Sequence, residues 1–223
     1  MIRILVTGLS NTASGTRSVI MNWYHNINRE LLQFDFLVRH DFDQPELEKE
    51  IRLLGGNIYK EQYTRREKPL SYYKDLKCFF DSHPEISGVH MNLNHHGYIL
   101  PLIIAEKKRL PIRVAFSHNA GNTRADEIHL FSMVMNSFRK KRLKKMNIYR
   151  MACSELAGEY IFGKSLQVKI LHNGIDVKKY IFDLKERKRI RQLLGVSENT
   201  ILMGFVGRLQ YQKNPLFMLN IFM

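Results

Sequence analysis

Short apolar segments alternate with longer segments of helical periodicity along this chain, and this alternation constrains the fold more than any other feature. The apolar segments predict β-strands at 2–7, 34–39, 88–91, 112–116, 149–153, 167–171 and 200–206. The intervening segments predict helices at 16–30, 46–54, 70–82, 97–109, 125–148, 154–163 and 184–194. Strands that alternate with helices of this length form βαβ units, in which helices cover both faces of a mostly parallel sheet. The sequence therefore predicts an α/β fold.

A break in this pattern near residue 165 divides the chain into two predicted domains. The apolar pattern restarts after that point, and the Asn-Gly pair at 173–174 is a strong turn signal. We predict a complete α/β domain at 1–165 and only the opening βαβα segment of a second domain at 166–223. The strand at 200–206 would belong to that segment.

Composition narrows the range of possible partners. The chain of 223 residues carries a formal net charge of +14, which favours nucleic acid, an anionic membrane or phosphorylated substrates. No stretch approaches the roughly 18 apolar residues of a membrane span, and the apolar run at the N-terminus is too short for a signal peptide. The two cysteines, Cys78 and Cys153, lack a metal-type spacing and favour a reducing cytosol. We expect a cytoplasmic protein without a metal.

A polar, glycine-containing loop follows the first predicted strand. In parallel sheets ligands bind beyond the carboxyl ends of the strands, so Gly8, Ser14 and Gly15 could lie against a ligand. The loop lacks the G-x-G-x-x-G spacing of a dinucleotide site. An ordinary loop with Ser14 or Thr16 as the helix N-cap is the alternative, and the sequence leaves both interpretations open.

A histidine, His118, follows the predicted strand at 112–116, with Asn119 directly after it. At the mouth of a crevice, such a histidine could hydrogen-bond a sugar hydroxyl or the charged centre of a reacting group. A purely structural role is the alternative. His95 and His96 follow another strand without a nearby carboxylate, and we interpret them as part of a surface loop.

The segment 138–150 is strongly basic, with seven basic side chains among thirteen residues. On a helix, Phe138, Leu143 and Met146 would turn inward while the cations turn outward. Such a helix would bind anionic lipid headgroups, whereas a merely solvated face is the alternative. The membrane-contacting cations would be Arg139, Lys140, Lys141, Arg142, Lys144 and Lys145. No aromatic stacking platform accompanies this charge, so we do not expect a nucleic-acid partner.

The segment 201–207 reads as an apolar strand that runs into glycines, and two cations follow it. Arg208 comes directly after the glycines and Lys213 five residues later, before an apolar helical run that begins at Pro215. A buried strand, a glycine turn and cations before a helix N-terminus form a plausible cradle for a diphosphate.

Taken together, these segments resemble the retaining glycosyltransferases of group 1, or family 4, which have two Rossmann-like domains in the GT-B fold. The branch that they resemble most makes bacterial capsular polysaccharides and exopolysaccharides. The segments that carry the resemblance are 22–28 with 34–38, 112–119, 152–155, 172–176 and 204–214, and the last two are the most specific.

This resemblance implies transfer of a sugar from a nucleotide diphosphate sugar, most often a UDP-sugar, to a lipid-linked or glycan acceptor. Arg208 and Lys213 would then grip the donor diphosphate without a metal or other cofactor. His118 would be catalytic, and Gly8, Ser14, Gly15, Asn119 and Asn173 would line the substrate. The protein would lie at the inner face of the cell membrane.

The chain departs from the family pattern in three places. Residues 14–17 replace a Gly-Gly-x-Glu pattern, and Phe116 stands where a first histidine often precedes His118. The family's pair of glutamates, which binds the donor sugar, is absent from the sequence. The resemblance thus predicts an N-terminal fragment or a truncated gene product. A non-catalytic membrane-docking or scaffold protein that uses the basic helix at 138–150 is the alternative.

Overall fold

The computed structural model describes residues 1–62, 68–96, 98–121, 130–164, 166–207, 209 and 213–222. Within them, seven strands form one sheet of order β3-β2-β1-β4-β5-β6-β7, and every pair of neighbouring strands is parallel. The strands are β1 (Ile2–Thr7), β2 (Leu32–Val38), β3 (Ile58–Lys60), β4 (Ile86–Leu93), β5 (Ile112–Ser117), β6 (Tyr149–Ala152) and β7 (Lys169–Ile170). The helices are α1 (Gly15–Asn26), α2 (Pro45–Leu53), α3 (Pro69–Ser82), α4 (Leu100–Lys107), α5 (Leu130–Lys145), α6 (Glu155–Phe162), α7 (Leu184–Leu193) and α8 (Pro215–Phe222). The predicted α/β fold is confirmed.

Two apolar clusters cover the two faces of the sheet, because successive side chains of a strand point to opposite faces. On β1, Ile4 and Val6 pack in a cluster with residues of α1 and α2, such as Ile20 and Ile51. Leu5 packs in the other cluster, with residues of α3, α4, α5 and α6. The sheet thus forms the middle layer of three, as a fully covered parallel sheet requires.

A buried ion pair joins β1 to β2. The carboxylate of Asp35, which is fully buried, accepts hydrogen bonds from Arg3 Nε at 2.7 Å and Nη2 at 2.5 Å. The backbone N–H of Asn57 donates to Asp35 Oδ1 at 2.7 Å. The buried charge is therefore both paired and hydrogen-bonded, which such charges require.

The first compact unit runs from Met1 to Ile175 and includes β7, which pairs in parallel with β6. The segment at 167–171, expected to open a second domain, thus contributes the last strand of the first sheet. The division of the chain at residue 165 stays a prediction. The edge strand β3 was missed, since three residues are too short to show a period of two.

The second compact unit, Asp176–Met223, contains a short 3₁₀ turn at Val177–Tyr180 and the helices α7 and α8. The predicted helices at 184–194 and from Pro215 are confirmed. The predicted strand at 200–206 is wrong, because the backbone is irregular and the side chains of 201–206 are exposed. A strand needs a neighbour for its backbone N–H and C=O groups, and the described part of this unit contains no other strand.

None of the helices described is long and apolar enough to cross a membrane.

Candidate functional site

Three neighbouring strands end in one hydrogen-bond network around His118. Its backbone N–H donates to Leu93 O at 2.9 Å, which extends the pairing of β5 with β4 beyond the strand end. Its ring atom Nε2 lies 2.7 Å from Oδ1 of Asn92, on β4. Asn92 Nδ2 in turn donates to Thr7 O, on β1, at 2.8 Å. The carboxyl edge of the sheet therefore holds His118 in a fixed place, at the edge where ligands bind in such sheets.

Aromatic rings surround this network. The ring centroid of His118 lies 4.6 Å from that of Phe116 and 6.0 Å from that of Trp23, on α1. Trp23 also packs against His90, which lies two residues before Asn92 on β4, at a centroid distance of 5.5 Å. These rings exclude water from one side of the imidazole.

The two histidines of this site are neutral at neutral pH. Burial lowers the pKa of His118 to about 4. Burial also lowers the pKa of His90 to about 4, with the neighbouring His118 as the second cause. A neutral imidazole supplies one hydrogen-bond donor and one acceptor but no positive charge. The site can therefore orient hydroxyl groups, whereas cations from elsewhere are needed to neutralise a phosphate.

Sequence reasoning missed three members of this site: Asn92, His90 and Trp23. The spacing of His90 and Asn92 was a usable signal, because residues two apart in a strand share a face. Trp23 lies within a segment that carried the family resemblance, but no role was predicted for it. Its position on α1 becomes informative only once that helix packs over β4 and β5.

Hydrogen bonds fix the first loop, which joins β1 to α1, in place. Ser14 is the N-cap of α1 and accepts from the backbone N–H of Arg17 at 3.2 Å, as one of the two interpretations of this loop predicted. Asn11 bonds to Asp41 O and to the backbone N–H of Asp43, at 2.7 and 2.8 Å. The loop is therefore tied to the segment that follows β2.

Gly8 and Gly15 differ in their surroundings. Gly8 has a φ of +111°, and a Cβ atom there would lie 2.7 Å from the Cβ of Asn92. Packing against Asn92 within the protein therefore requires a glycine at position 8. A Cβ on Gly15, the first residue of α1, would meet nothing within 4 Å. The backbone at Gly15 is thus open, at a helix N-terminus suited to an anion.

The two predicted asparagines lie on loops at the same edge of the sheet. Asn119 Oδ1 accepts from the backbone N–H of Gly121 at 3.1 Å, which closes a local turn. Asn173 is exposed, and the carbonyl of the next residue, Gly174, accepts from Asn22 Nδ2 on α1 at 2.9 Å. The segment of Asn173 thus contacts α1, while the side chain of Asn119 stabilises the turn that follows it.

An apolar cavity of about 380 Å³ adjoins the aromatic part of the site. Trp23, His90 and Phe116 line it, together with Met151 and Leu171 from the ends of β6 and β7. The site therefore combines the hydrogen-bonding groups around His118 with the apolar lining of the adjoining cavity.

The predicted diphosphate cations are only partly placed. Arg208 lies outside the described residues. Lys213 is exposed, and its Cγ would lie 3.6 Å from a Cβ on Gly207, so the lysine stem folds back on the glycine turn. The joint action of Arg208 and Lys213 on a diphosphate stays a prediction.

The basic helix α5 is confirmed over 130–145, while residues 125–129 of the predicted helix lie outside the described part. Leu143 and Met146 are buried as predicted. The inward orientation of Phe138 is wrong, because this side chain is 64% exposed. The helix buries the face of Leu143 against the sheet, and Phe138 lies on the opposite side.

The cations of this segment do not act alike. Lys140 Nζ donates to the carbonyls of Glu159 and Tyr160 at the end of α6, at 3.4 and 3.1 Å, and burial lowers its pKa. Arg142 pairs with Glu106 at 2.5 Å. Arg139 donates to Asn136 at 3.1 Å. The other predicted membrane contacts, which are all exposed to solvent, are Lys141, Lys144 and Lys145.

His96 does not lie on the surface, as the sequence had suggested. It is 5% exposed, and its Nε2 lies 3.0 Å from Ile161 O. The side chain of His96 turns inward against α6, so the surface-loop interpretation is wrong for this residue. In the described residues, no group of three His, Cys, Asp or Glu side chains could hold a metal.

The architecture defines the class of domain: a single parallel sheet of seven strands with helices on both faces resembles the Rossmann-like domains of GT-B glycosyltransferases. A crystal structure of Anabaena Alr3699/HepE in complex with UDP-glucose matches with a TM-score of 0.62 and 16% sequence identity, over 89% of this chain and 51% of that chain. At this identity the match establishes the fold alone.

Two curated relatives add a chemical class. The chain is 26% identical over 217 residues to the Bacillus subtilis (strain 168) protein named "Putative glycosyltransferase EpsF", covering 93% of this chain and 54% of the relative. It is 23% identical over 155 residues to an Escherichia coli UDP-Gal:alpha-D-GlcNAc-diphosphoundecaprenol alpha-1,3-galactosyltransferase, covering 66% of this chain and 40% of the relative. The chain thus spans about half the length of the relatives that it matches, both of which are named as glycosyltransferases. No family model matches it.

Proposed function

We propose that this chain acts as part of a retaining glycosyltransferase of group 1, or family 4. It would move a sugar from a UDP-sugar to a lipid-linked or glycan acceptor in capsular polysaccharide or exopolysaccharide synthesis. The observation that carries this proposal is the His118–Asn92–Thr7 network at the carboxyl edge of the sheet, in a chain similar to two proteins named as glycosyltransferases.

The His118 site supports recognition of hydroxyl groups, and the proposal assigns recognition of the phosphates to Arg208 and Lys213. The neutral imidazole of His118 can bond a sugar hydroxyl, and the rings of Trp23 and Phe116 keep water away from it. A leaving diphosphate develops negative charge, which Arg208 and Lys213 would neutralise in place of a metal. Retention of the anomeric configuration rests on the family resemblance.

Binding of UDP tests the donor half of this proposal. We expect calorimetry with UDP and UDP-glucose to show binding that Lys213→Ala weakens at least about tenfold, the usual effect of losing a charge-assisted bond to phosphate. Lys185→Ala removes an exposed lysine from the same compact unit and serves as the matched control. Absence of UDP binding, or equal weakening by both variants, would contradict the proposal.

Transfer itself is tested with radiolabelled UDP-sugars and a lipid extract from the source cells as acceptor. We expect label in the lipid fraction, and a loss of label with His118→Ala. Binding of UDP without transfer to any acceptor would leave a nucleotide-binding protein and contradict the transferase assignment.

We further propose that α5 places the protein at the inner face of the membrane. Val134 and Phe138 are exposed apolar side chains, and Lys141 and Lys145 follow at helical spacing on the same face. An apolar stripe continued by cations is what an anionic lipid surface binds.

Sedimentation with vesicles that contain anionic lipid tests this docking face. We expect Phe138→Ser and Lys141→Glu each to weaken binding, and high salt to weaken it further. Lys49→Glu, an exposed lysine on α2, makes the same change in net charge and should have less effect. If only vesicle binding were found and UDP did not bind, the alternative of a non-catalytic docking protein would be favoured.

A further inference from the structure

We infer that Asn92 is a positioning residue that holds His118 as the Nε2–H tautomer and so keeps Nδ1 as an acceptor for a sugar hydroxyl. The assignment of the tautomer concerns the ligand-free chain. The acceptor role of Nδ1 rests on the proposed function, because it assumes a bound sugar.

The orientation of the Asn92 amide follows from its neighbours. Thr7 O is a backbone carbonyl and can only accept, so the Asn92 atom 2.8 Å away must be the donor Nδ2. The other amide atom, Oδ1, therefore faces His118 Nε2 at 2.7 Å. An amide oxygen only accepts, so Nε2 must carry the ring proton.

The remaining ring nitrogen has no partner among the described residues. His118 Nδ1 is buried and makes no hydrogen bond. In the neutral Nε2–H tautomer this atom carries a lone pair, and an unsatisfied buried acceptor in a native structure requires an explanation. A hydroxyl donated by a bound sugar would supply the missing partner.

Residues from several elements restrict the position of the His118 ring. Gly8, on the loop after β1, packs against Asn92 so closely that the asparagine cannot move toward β1. Trp23 on α1 and Phe116 on β5 present uncharged rings. Among the described residues, His90 on β4 is a titratable group whose pKa His118 lowers, and His90 is itself neutral at neutral pH. The tautomer is therefore set by Asn92 and not by a neighbouring charge.

Nitrogen NMR of the full chain labelled with ¹⁵N-histidine tests the tautomer directly. We expect His118 to show a protonated Nε2 and a bare Nδ1, in at least about tenfold excess over the other tautomer. Asn92→Ser should give a mixture of tautomers, and Asn92→Asp should raise the midpoint of the His118 titration, because a carboxylate stabilises the imidazolium. A protonated Nδ1 in the unaltered chain would overturn the inference without any variant.

Asn94→Ser is the matched control. Asn94 lies two residues beyond Asn92, is exposed, and accepts a hydrogen bond from Thr16 Oγ1 at 3.2 Å. We expect the His118 signals of this variant to match those of the unaltered chain. Equal changes with Asn92→Ser and Asn94→Ser would show that any disturbance of this edge alters the ring, and would overturn a positioning role for Asn92.

Addition of UDP-glucose tests the acceptor role of His118 Nδ1. We expect the His118 Nδ1 resonance to shift as a hydroxyl donates to it, while Nε2 keeps its proton. If UDP-glucose shifted signals elsewhere but left Nδ1 unchanged, the acceptor role would be wrong and the donor site would stand. If UDP-glucose shifted no signal, the proposed function would fail while the tautomer result stood.

Discussion

Gly8 and Asn92 pack against each other at the carboxyl edge of the sheet, where a Cβ on Gly8 would lie 2.7 Å from the Cβ of Asn92. Side chains do not approach so closely, and the φ of +111° at Gly8 is a second reason for glycine at this position. The first loop thus contributes to the site by letting Asn92 reach Thr7 O and His118.

The change Gly8→Ala should lower the free energy of unfolding by about 2 to 4 kcal/mol, since it combines a strained φ with a steric clash. Gly15→Ala should change it by less than about 1 kcal/mol and toward greater stability, because alanine fits the open start of α1. Urea denaturation of both variants measures the difference. Similar values for the two would contradict the close packing at Gly8.

The ion pair of Arg3 and Asp35 should be worth far more than a surface pair. Arg3→Met leaves the fully buried carboxylate of Asp35 without its cation, and we expect a loss of about 3 to 5 kcal/mol of unfolding free energy. The pair of Lys60 and Glu48 is partly exposed, so Lys60→Met should cost less than about 1 kcal/mol. Thermal and urea unfolding at neutral pH compare the two, and equal losses would contradict the prediction.

Stability should fall as the pH is lowered from about 6.5 to about 4, because His90 and His118 stay neutral in the folded chain. Their pKa of about 4 lies below the ordinary value of 6.5, so the unfolded chain binds more protons in this window. The free energy of unfolding should then drop by up to about 1.4 kcal/mol per pH unit for each histidine, and be fully regained above pH 6.5.

Urea denaturation at several pH values measures this slope. His118→Asn should remove about half of the histidine contribution and leave that of His90. A slope equal to that of the unaltered chain would show that His118 does not cause the acid sensitivity.

Lys140 and Lys141 are neighbours with different expected roles. Lys140 bonds to carbonyls at the end of α6, so Lys140→Ala should lower the free energy of unfolding by about 1 kcal/mol. Lys141 is exposed, so Lys141→Ala should stay within about 0.5 kcal/mol of the unaltered chain while weakening vesicle binding. The opposite order of stabilities would contradict the contacts of Lys140.

The hydrophobic pattern of the sequence was sufficient to predict the α/β fold, six of the seven strands and the position of His118 after β5. These features depend on local periodicity, which the chain carries in itself. The predicted strand at 200–206 is wrong because local composition alone does not decide whether a strand forms. Its apolar composition is local, but a strand also depends on a partner strand.

Only the tertiary structure decided which side chains surround His118. Asn92 and Trp23 lie 26 and 95 residues away in the chain, and no local pattern links them to it. The same holds for Phe138, whose outward position depends on which face α5 buries, and for His96, which the fold draws beneath α6. Periodicity thus predicted most strands and helices of this protein, whereas the packing of one element on another determined its site, because such contacts join residues that are distant in sequence.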